Sequence, residues 1–214
     1  MKGRSKLGVR RMIGIVLAIG LVVPALVLAA AAAKPAANKP QTATMKTDAA
    51  HDAAMEEMMK LGKPGPEHAG LEKMAGTWKA VNKSWFVPGE PTVNEGTAES
   101  RMILGGRFLE QKFHGTMMGQ AFEGYGLTGY DNVKKTYTTM WIDNMGTYIS
   151  TGTGSMDAAG KELTMKSMMP GPDGKPIEHR MVTKVVDDKT HVFSMYAPYN
   201  GKEQLMMEIT YTRM

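Results

Sequence analysis

Phe122-Glu-Gly-Tyr-Gly-Leu-Thr-Gly-Tyr-Asp131 and, just beyond it, Tyr137-Thr-Thr-Met-Trp-Ile-Asp143 are two runs rich in aromatic and β-branched residues, parted by a turn signal at Asp131-Asn132. Neither run has the apolar period of a helix. The same punctuation extends in both directions from them. Turn signals recur at Pro88-Gly89, Gly105-Gly106, Met118-Gly119, Asn144-Met-Gly146, Asp157-Ala-Ala-Gly160, Pro170-Gly-Pro-Asp-Gly174, Asp187-Asp188 and Asn200-Gly201. Together they divide Trp78 to Met214 into about ten strands with no helix between them. Short consecutive turns favour up-and-down order, so the expected fold is all-β, about ten antiparallel strands in a closed barrel.

Alternation suggests which side chains share a face. Leu163, Met165 and Met169 oppose Glu162, Thr164 and Lys166. Ile177, His179, Met181, Thr183 and Val185 oppose Glu178, Arg180 and Lys184, and Leu205, Met207, Ile209 and Tyr211 oppose Glu208, Thr210 and Thr212. The less charged set of each strand is expected inside. Tyr137, Thr139, Trp141 and Asp143 share a face as well, but alternation does not say which.

The chain before the strands is different. Lys2, Arg4, Lys6, Arg10 and Arg11 precede an uncharged run from Met12 to Ala33 that ends in five alanines. A basic start, an apolar core and small residues at its end are the parts of a secretory signal, so residues 1–33 are read as a signal peptide. The alternative is an uncleaved membrane anchor. Residues 34–65 read as a flexible linker bearing a short Met-rich helix, capped by Thr47 and ending near Leu61, in which Met55, Met58 and Met59 share one face. Pro66 opens a second short helix that points Leu71, Met74 and Ala75 one way, and the barrel domain is assigned to 66–214.

Removing the signal changes the charge. The whole chain has 26 basic and 21 acidic side chains, and the five basic ones of the signal account for the difference. A balanced remainder carries no electrostatic footprint for nucleic acid, and that class of partner is excluded. An exported chain with no cysteine has no disulfide framework and must rely on its core. Export places it in a periplasm or outside the cell.

Motifs of known chemistry are weighed against simpler accounts. Gly124-Tyr-Gly126-Leu-Thr-Gly129 fits the dinucleotide pattern, but that loop must turn a strand into a helix, and a strand follows here. The glycines fit a barrel wall better. Nineteen methionines remain after residue 33. Thioethers suit Cu(I), and Met55, Met58 and Met59 with His51 nearby are the candidate set. Elsewhere adjacent methionines point to opposite faces and serve better as flexible apolar filler. His51, His68, His114, His179 and His191 form no zinc signature. Glu110 and Asp143 are strand acids that could pair for acid–base work, although a turn-capping role suits Asp143 better. No nucleophile motif occurs, so no catalytic residue and no cofactor is assigned. Asn82-Lys-Ser84 is a glycosylation sequon.

Gly76-Thr77-Trp78 resembles the Gly-x-Trp opening of lipocalins and related calycins. Gly106-Arg-Phe-Leu-Glu-Gln111, Phe122-Glu-Gly124, Gly129-Tyr-Asp131, Trp141-Ile-Asp-Asn-Met-Gly146, Gly152-Thr-Gly154 and Glu208-Ile-Thr-Tyr-Thr-Arg213 occur in that order and are similar to the family catalogued as domain of unknown function 1579. The resemblance covers roughly residues 66–214. It implies a calycin-like β-barrel and no reaction. Related nitrobindin barrels hold haem through one histidine, which reaches this chain by fold analogy alone.

A ten-strand barrel is large enough to hold one small ligand. The candidate lining is Trp78, Tyr137, Trp141, Asp143, Met165, His179, Met207 and Tyr211, an aromatic and thioether wall with few polar contacts. The expected partner is a small apolar or amphipathic molecule. The alternatives are a ligand-free envelope protein acting through its outer surface, Met-based Cu(I) handling, and an enzyme without a recognised motif.

Overall fold

The computed structural model describes residues 49–86, 89–171 and 173–214. The signal segment and the first part of the linker, with Thr47, lie outside the described residues. No described helix is long and apolar enough to cross a membrane.

Two short helices come first, α1 over Ala49–Leu61 and α2 over Pro66–Glu72. Ten strands follow: β1 Gly76–Ser84, β2 Thr92–Ile103, β3 Phe108–Met117, β4 Gln120–Asp131 and β5 Thr136–Asp143, then β6 Ser150–Met156, β7 Glu162–Pro170, β8 Pro176–Asp187, β9 Thr190–Tyr199 and β10 Lys202–Arg213. Each strand pairs antiparallel with the next, and β10 returns to pair with β1 from Trp78↔Arg213 to Ser84↔Met207. The sheet is therefore a closed up-and-down barrel in which every strand has two neighbours. The Asp131-Asn132 turn joins β4 to β5, as the opening stretch predicts. There Asp131 accepts the backbone N–H groups of Val133 and Lys134, which holds its carboxyl below the usual range.

Up-and-down order puts alternate loops at opposite ends. The loops after β1, β3, β5, β7 and β9 surround one end, the mouth. The other end is closed by α2. Leu71 and Met74 pack there against Leu109, Tyr137, Leu163 and Met165. Pro66 begins α2 where its missing N–H is not needed, and the Gly65 N–H donates to His68 Nδ1 at 3.0 Å. The helix stops at Glu72, and Gly76 is the first residue of β1. The carbonyls of the last α1 residue and of the two residues after it are held on the same end: Asn132 Nδ2 donates to Leu61 and Lys63, and Arg107 Nε to Gly62.

The plug is locked where the last strand meets the first. The Arg213 guanidinium lies over the Trp78 indole, 4.1 Å from the ring centroid. It donates to the carbonyls of Lys73, Ala75 and Asp188 at 3.2, 2.9 and 2.8 Å. Trp78 is almost wholly buried and donates its Nε1–H to Met74 O at 3.1 Å. The turn from α2 into β1 is thus held from both sides. Gly76 is required at this point: its φ is +138°, and a Cβ there would overlap the Arg213 guanidinium.

The faces follow alternation with one correction. Leu163, Met165, Ile209 and Tyr211 are buried, as the sequence predicts. Leu205 is expected inside with Met207, but β10 carries a bulge between them. Met207 then pairs with Met195 inside, and Leu205 pairs with Tyr196, which carries the Arg180 guanidinium at 4.0 Å on the outer face. One extra residue reverses the face of everything before it.

Gly76→Ala should destabilise the barrel by at least about 2 kcal/mol, from left-handed strain and the displaced guanidinium. Urea unfolding should show a lower midpoint with an unchanged slope; an unchanged midpoint would mean that Arg213 does not need this glycine.

Candidate functional site

The side chains of ten strands do not fill this barrel. Between the plug and the mouth lies a cavity of about 460 Å³. Its wall includes Trp141, Phe113, Phe122, Phe193 and Tyr211 and eight methionines: Met74, Met117, Met145, Met165, Met169, Met181, Met195 and Met207. Much of the methionine excess of the sequence is therefore spent on a flexible apolar wall.

Trp141 shapes the cavity most directly. It sits opposite Gly126 in the β4–β5 register, with Gly124 opposite Asp143. A Cβ on Gly124 would overlap the indole, and one on Gly126 would come within 3.0 Å of it. The two glycines let the ring lie flat against β4 instead of crossing the interior. The G-x-G-x-x-G stretch is thus a seat for a tryptophan, and the strand reading of its glycines holds. Gly129 serves the outer face, where a Cβ would meet the Phe108 ring.

Asp143 closes the β5 end of this wall at the mouth. Its Oδ2 accepts Trp141 Nε1–H at 2.9 Å, and its Oδ1 accepts the Met145 backbone N–H at 2.9 Å. It caps a turn and fixes the indole at once. Tyr148, in the loop after β5, has its phenol pushed up by burial and by the Asp143 charge. Glu110 is on the opposite side of the barrel wall, where it accepts Arg101 Nε at 2.6 Å and the Tyr125 hydroxyl at 3.0 Å. The Arg101 hydrogen bond holds its carboxyl below the usual range. The acid pair considered from sequence does not form, because its two members face opposite sides of the sheet.

Of the candidate lining residues, Trp141, Asp143, Met165, His179, Met207 and Tyr211 meet around the cavity. Trp78 and Tyr137 do not line it. Trp78 lies beneath Arg213 in the closed end, and Tyr137 packs under α2 with its hydroxyl donating to Glu67 O at 3.1 Å. Met55, Met58 and Met59 are exposed on α1, away from the barrel interior, and no cluster of three His, Cys, Asp or Glu side chains placed to hold a metal occurs among the described residues.

Several polar side chains of the cavity wall are hydrogen-bonded within the protein. The Thr128 and Thr139 hydroxyls meet at 3.0 Å, Ser150 and Ser167 at 2.9 Å, and Gln111 Nε2 donates to Ser100 at 3.3 Å. His179 Nδ1 bonds the Ile177 carbonyl at 3.0 Å, which makes Nδ1 the protonated nitrogen and leaves Nε2 as an acceptor. Two polar side chains that sequence reasoning did not select stand apart. Asn82 and His191 both line the cavity and are about 95% buried. Asn82 Oδ1 and His191 Nδ1 have no hydrogen-bond partner among the described residues. His191 stacks on Tyr211 at 4.5 Å and meets Trp78 edge-on at 4.3 Å. Burial, helped by the Arg213 charge, pushes its pKa down to about 4. Asn82 belongs to the sequon, and its side chain is inside the barrel, out of reach of any modification of the folded protein.

A second, wider cleft of about 670 Å³ lies outside, between α2 and the turn from β6 to β7. Two of its polar side chains are already engaged. Asp157 Oδ1 accepts the Lys161 and Glu162 N–H groups at 2.7 and 2.9 Å, and Tyr137 is bonded to Glu67. It is open to solvent, so the more enclosed inner cavity is the better candidate.

The fold and cavity define a closed ten-stranded up-and-down β-barrel with a plugged base and a hollow interior. The particular family is also clear: residues 63–213 match the model described as "Protein of unknown function (DUF1579)", and the chain belongs to that family. No curated protein matches the chain. Among solved structures it is similar to Rv2717c from M. tuberculosis, at 14% identity and a TM-score of 0.51, covering 71% of this chain and 99% of that one. It also matches the S-type phycobiliprotein lyase CPES from Guillardia theta, at 9% identity and a TM-score of 0.49, covering 71% and 98%. Likeness at this level concerns the fold.

His191 sets an acid limit on stability. Its unfolded value is near 6.5 and its folded value about 4. Above pH 6.5 it adds no pH dependence. As pH falls from 6.5 to 4 the unfolded chain binds a proton that the folded barrel refuses, so stability drops, by roughly 3 kcal/mol at most. His191→Phe should remove that part of the acid slope, measured by urea unfolding at pH 7 and pH 4.5; parallel losses in both proteins would show that His191 protonates freely in the fold.

Proposed function

We propose that this protein is an exported container that binds one small apolar or amphipathic molecule inside its barrel. The observation that carries this reading is the cavity of about 460 Å³, above the roughly 300 Å³ that small-ligand sites need. A barrel built only for stability gains from close packing of its interior. Here α2 seals one end and leaves the hollow next to it. The wall is aromatic and thioether, and the exposed Phe86, Met145 and Tyr148 continue it to the mouth. An apolar solute would exchange water for this wall at about 25 cal/mol per Å² of buried apolar surface. Export rests on residues 1–33 of the sequence.

The first probe is N-phenylnaphthylamine, a neutral dye that brightens in apolar surroundings. It should bind the wild-type protein with one site. Thr183→Trp, which places a large side chain in the cavity wall, should weaken binding about tenfold or more, an increase of roughly 1.4 kcal/mol in binding free energy. Equal affinity of the two proteins would put the dye elsewhere and end the container reading. Native mass spectrometry of protein purified from its own host would then identify the natural occupant.

A further inference from the structure

The chemistry of the occupant can be narrowed from the two polar atoms left unpaired in the wall. This inference rests on the container reading. Asn82 pairs across β1–β10 with Ile209, which pairs with Phe193 on β9; one inward-facing row nearer the plug, Ala80 pairs with Tyr211, which pairs with His191. Asn82 and His191 therefore stand on one wall, β1–β10–β9, in adjacent rows. An unpaired polar atom in an apolar interior is unfavourable and calls for an explanation, because folded proteins satisfy nearly all of them. Asn82 and His191 both line the cavity, and Asn82 Oδ1 and His191 Nδ1 are left without a partner among the described residues.

What they would bind follows from their type. An amide can give or accept a hydrogen bond, and so can a neutral imidazole. His191 stays neutral because burial and the Arg213 charge oppose its protonation. Neither group compensates a full charge. No lysine or arginine lines the cavity among the described residues, and its one carboxylate, Asp143, would repel an anion at the mouth. A carboxylate head would have to shed its water without a counter-charge. An uncharged hydroxyl, amide or ring nitrogen would lose little, and it would complete the two unpaired groups.

We propose that the cavity selects a neutral amphiphile over a fatty acid, with the Asn82 amide and the His191 imidazole hydrogen-bonding its uncharged polar group.

The test uses the full chain and displacement of N-phenylnaphthylamine by decanol and by decanoate at pH 8. Decanol should displace the dye at a concentration at least about tenfold lower than decanoate. In Asn82→Leu/His191→Phe that advantage should shrink to about threefold or less, and the unliganded double variant should melt at a higher temperature than the wild type, since it no longer buries two unpaired polar atoms. His191→Phe alone, which keeps the ring stacked on Tyr211, serves if the double variant fails to fold. Decanoate matching decanol on the wild type would overturn the proposal. So would an undiminished decanol advantage in the variant, which would assign the selection to other groups. Dye bound in the cavity but displaced by neither competitor would also overturn it while leaving the container reading intact. Failure of the dye to bind at all would instead sink that reading.

Discussion

Arg213 on Trp78 is the contact on which the rest of the structure depends. It joins the last residues of β10, the first of β1 and the turn that leads out of α2. A stacked guanidinium keeps its in-plane donors free, so one side chain can cover an indole and still satisfy three backbone carbonyls. Lysine in the same place would offer a point charge and no plane. Because the turn is held here, α2 is held, and because α2 is held, the barrel has a floor. The cavity exists only above that floor.

The interior above it is shaped by subtraction as much as by packing. Gly124 and Gly126 remove the side chains that would push Trp141 inward, and Asp143 ties the indole nitrogen back toward the wall. Methionines complete the surface with side chains that adjust their rotamers at little cost. Rigidity is kept at the closed end, where His191 stacks on Tyr211 and meets Trp78 edge-on. Adaptability is kept toward the middle and the mouth. This division matches what a container needs, a fixed frame and a yielding lining.

Much of the frame was legible in the residues. Nine turn signals gave ten strands because glycine, proline, asparagine and aspartate at those points have local reasons to turn the chain. The inward sets of β7 and β8 followed from alternation because one face of each strand carries the charges. Leu205 was misplaced because a bulge has no signal of its own in a polar and apolar alternation. Trp78 and Tyr137 were read as lining because burial and an inward face are visible in sequence, whereas height along the barrel axis is not. That height depends on the register between strands far apart in the chain. Asn82 was hidden for a different reason. Its residue type is ordinarily a surface one, and its sequon pointed outward as well. His191 was one of five histidines without a spacing motif. Only closure of the barrel brings these two to one wall and shows that neither has a partner.

The closing pair of strands has a consequence for how the chain reaches this shape. A meander can add strands one after another as they become available, each hairpin forming locally. The seam between β1 and β10 is different, since its partners are separated by almost the whole domain. Until β10 exists, β1 and β9 are both open edges, the floor has no Arg213, and the apolar wall faces water. Loop closure over that distance is slow compared with any single hairpin. The nascent barrel is therefore an open sheet for most of its synthesis, and its final dozen residues decide when it becomes a vessel.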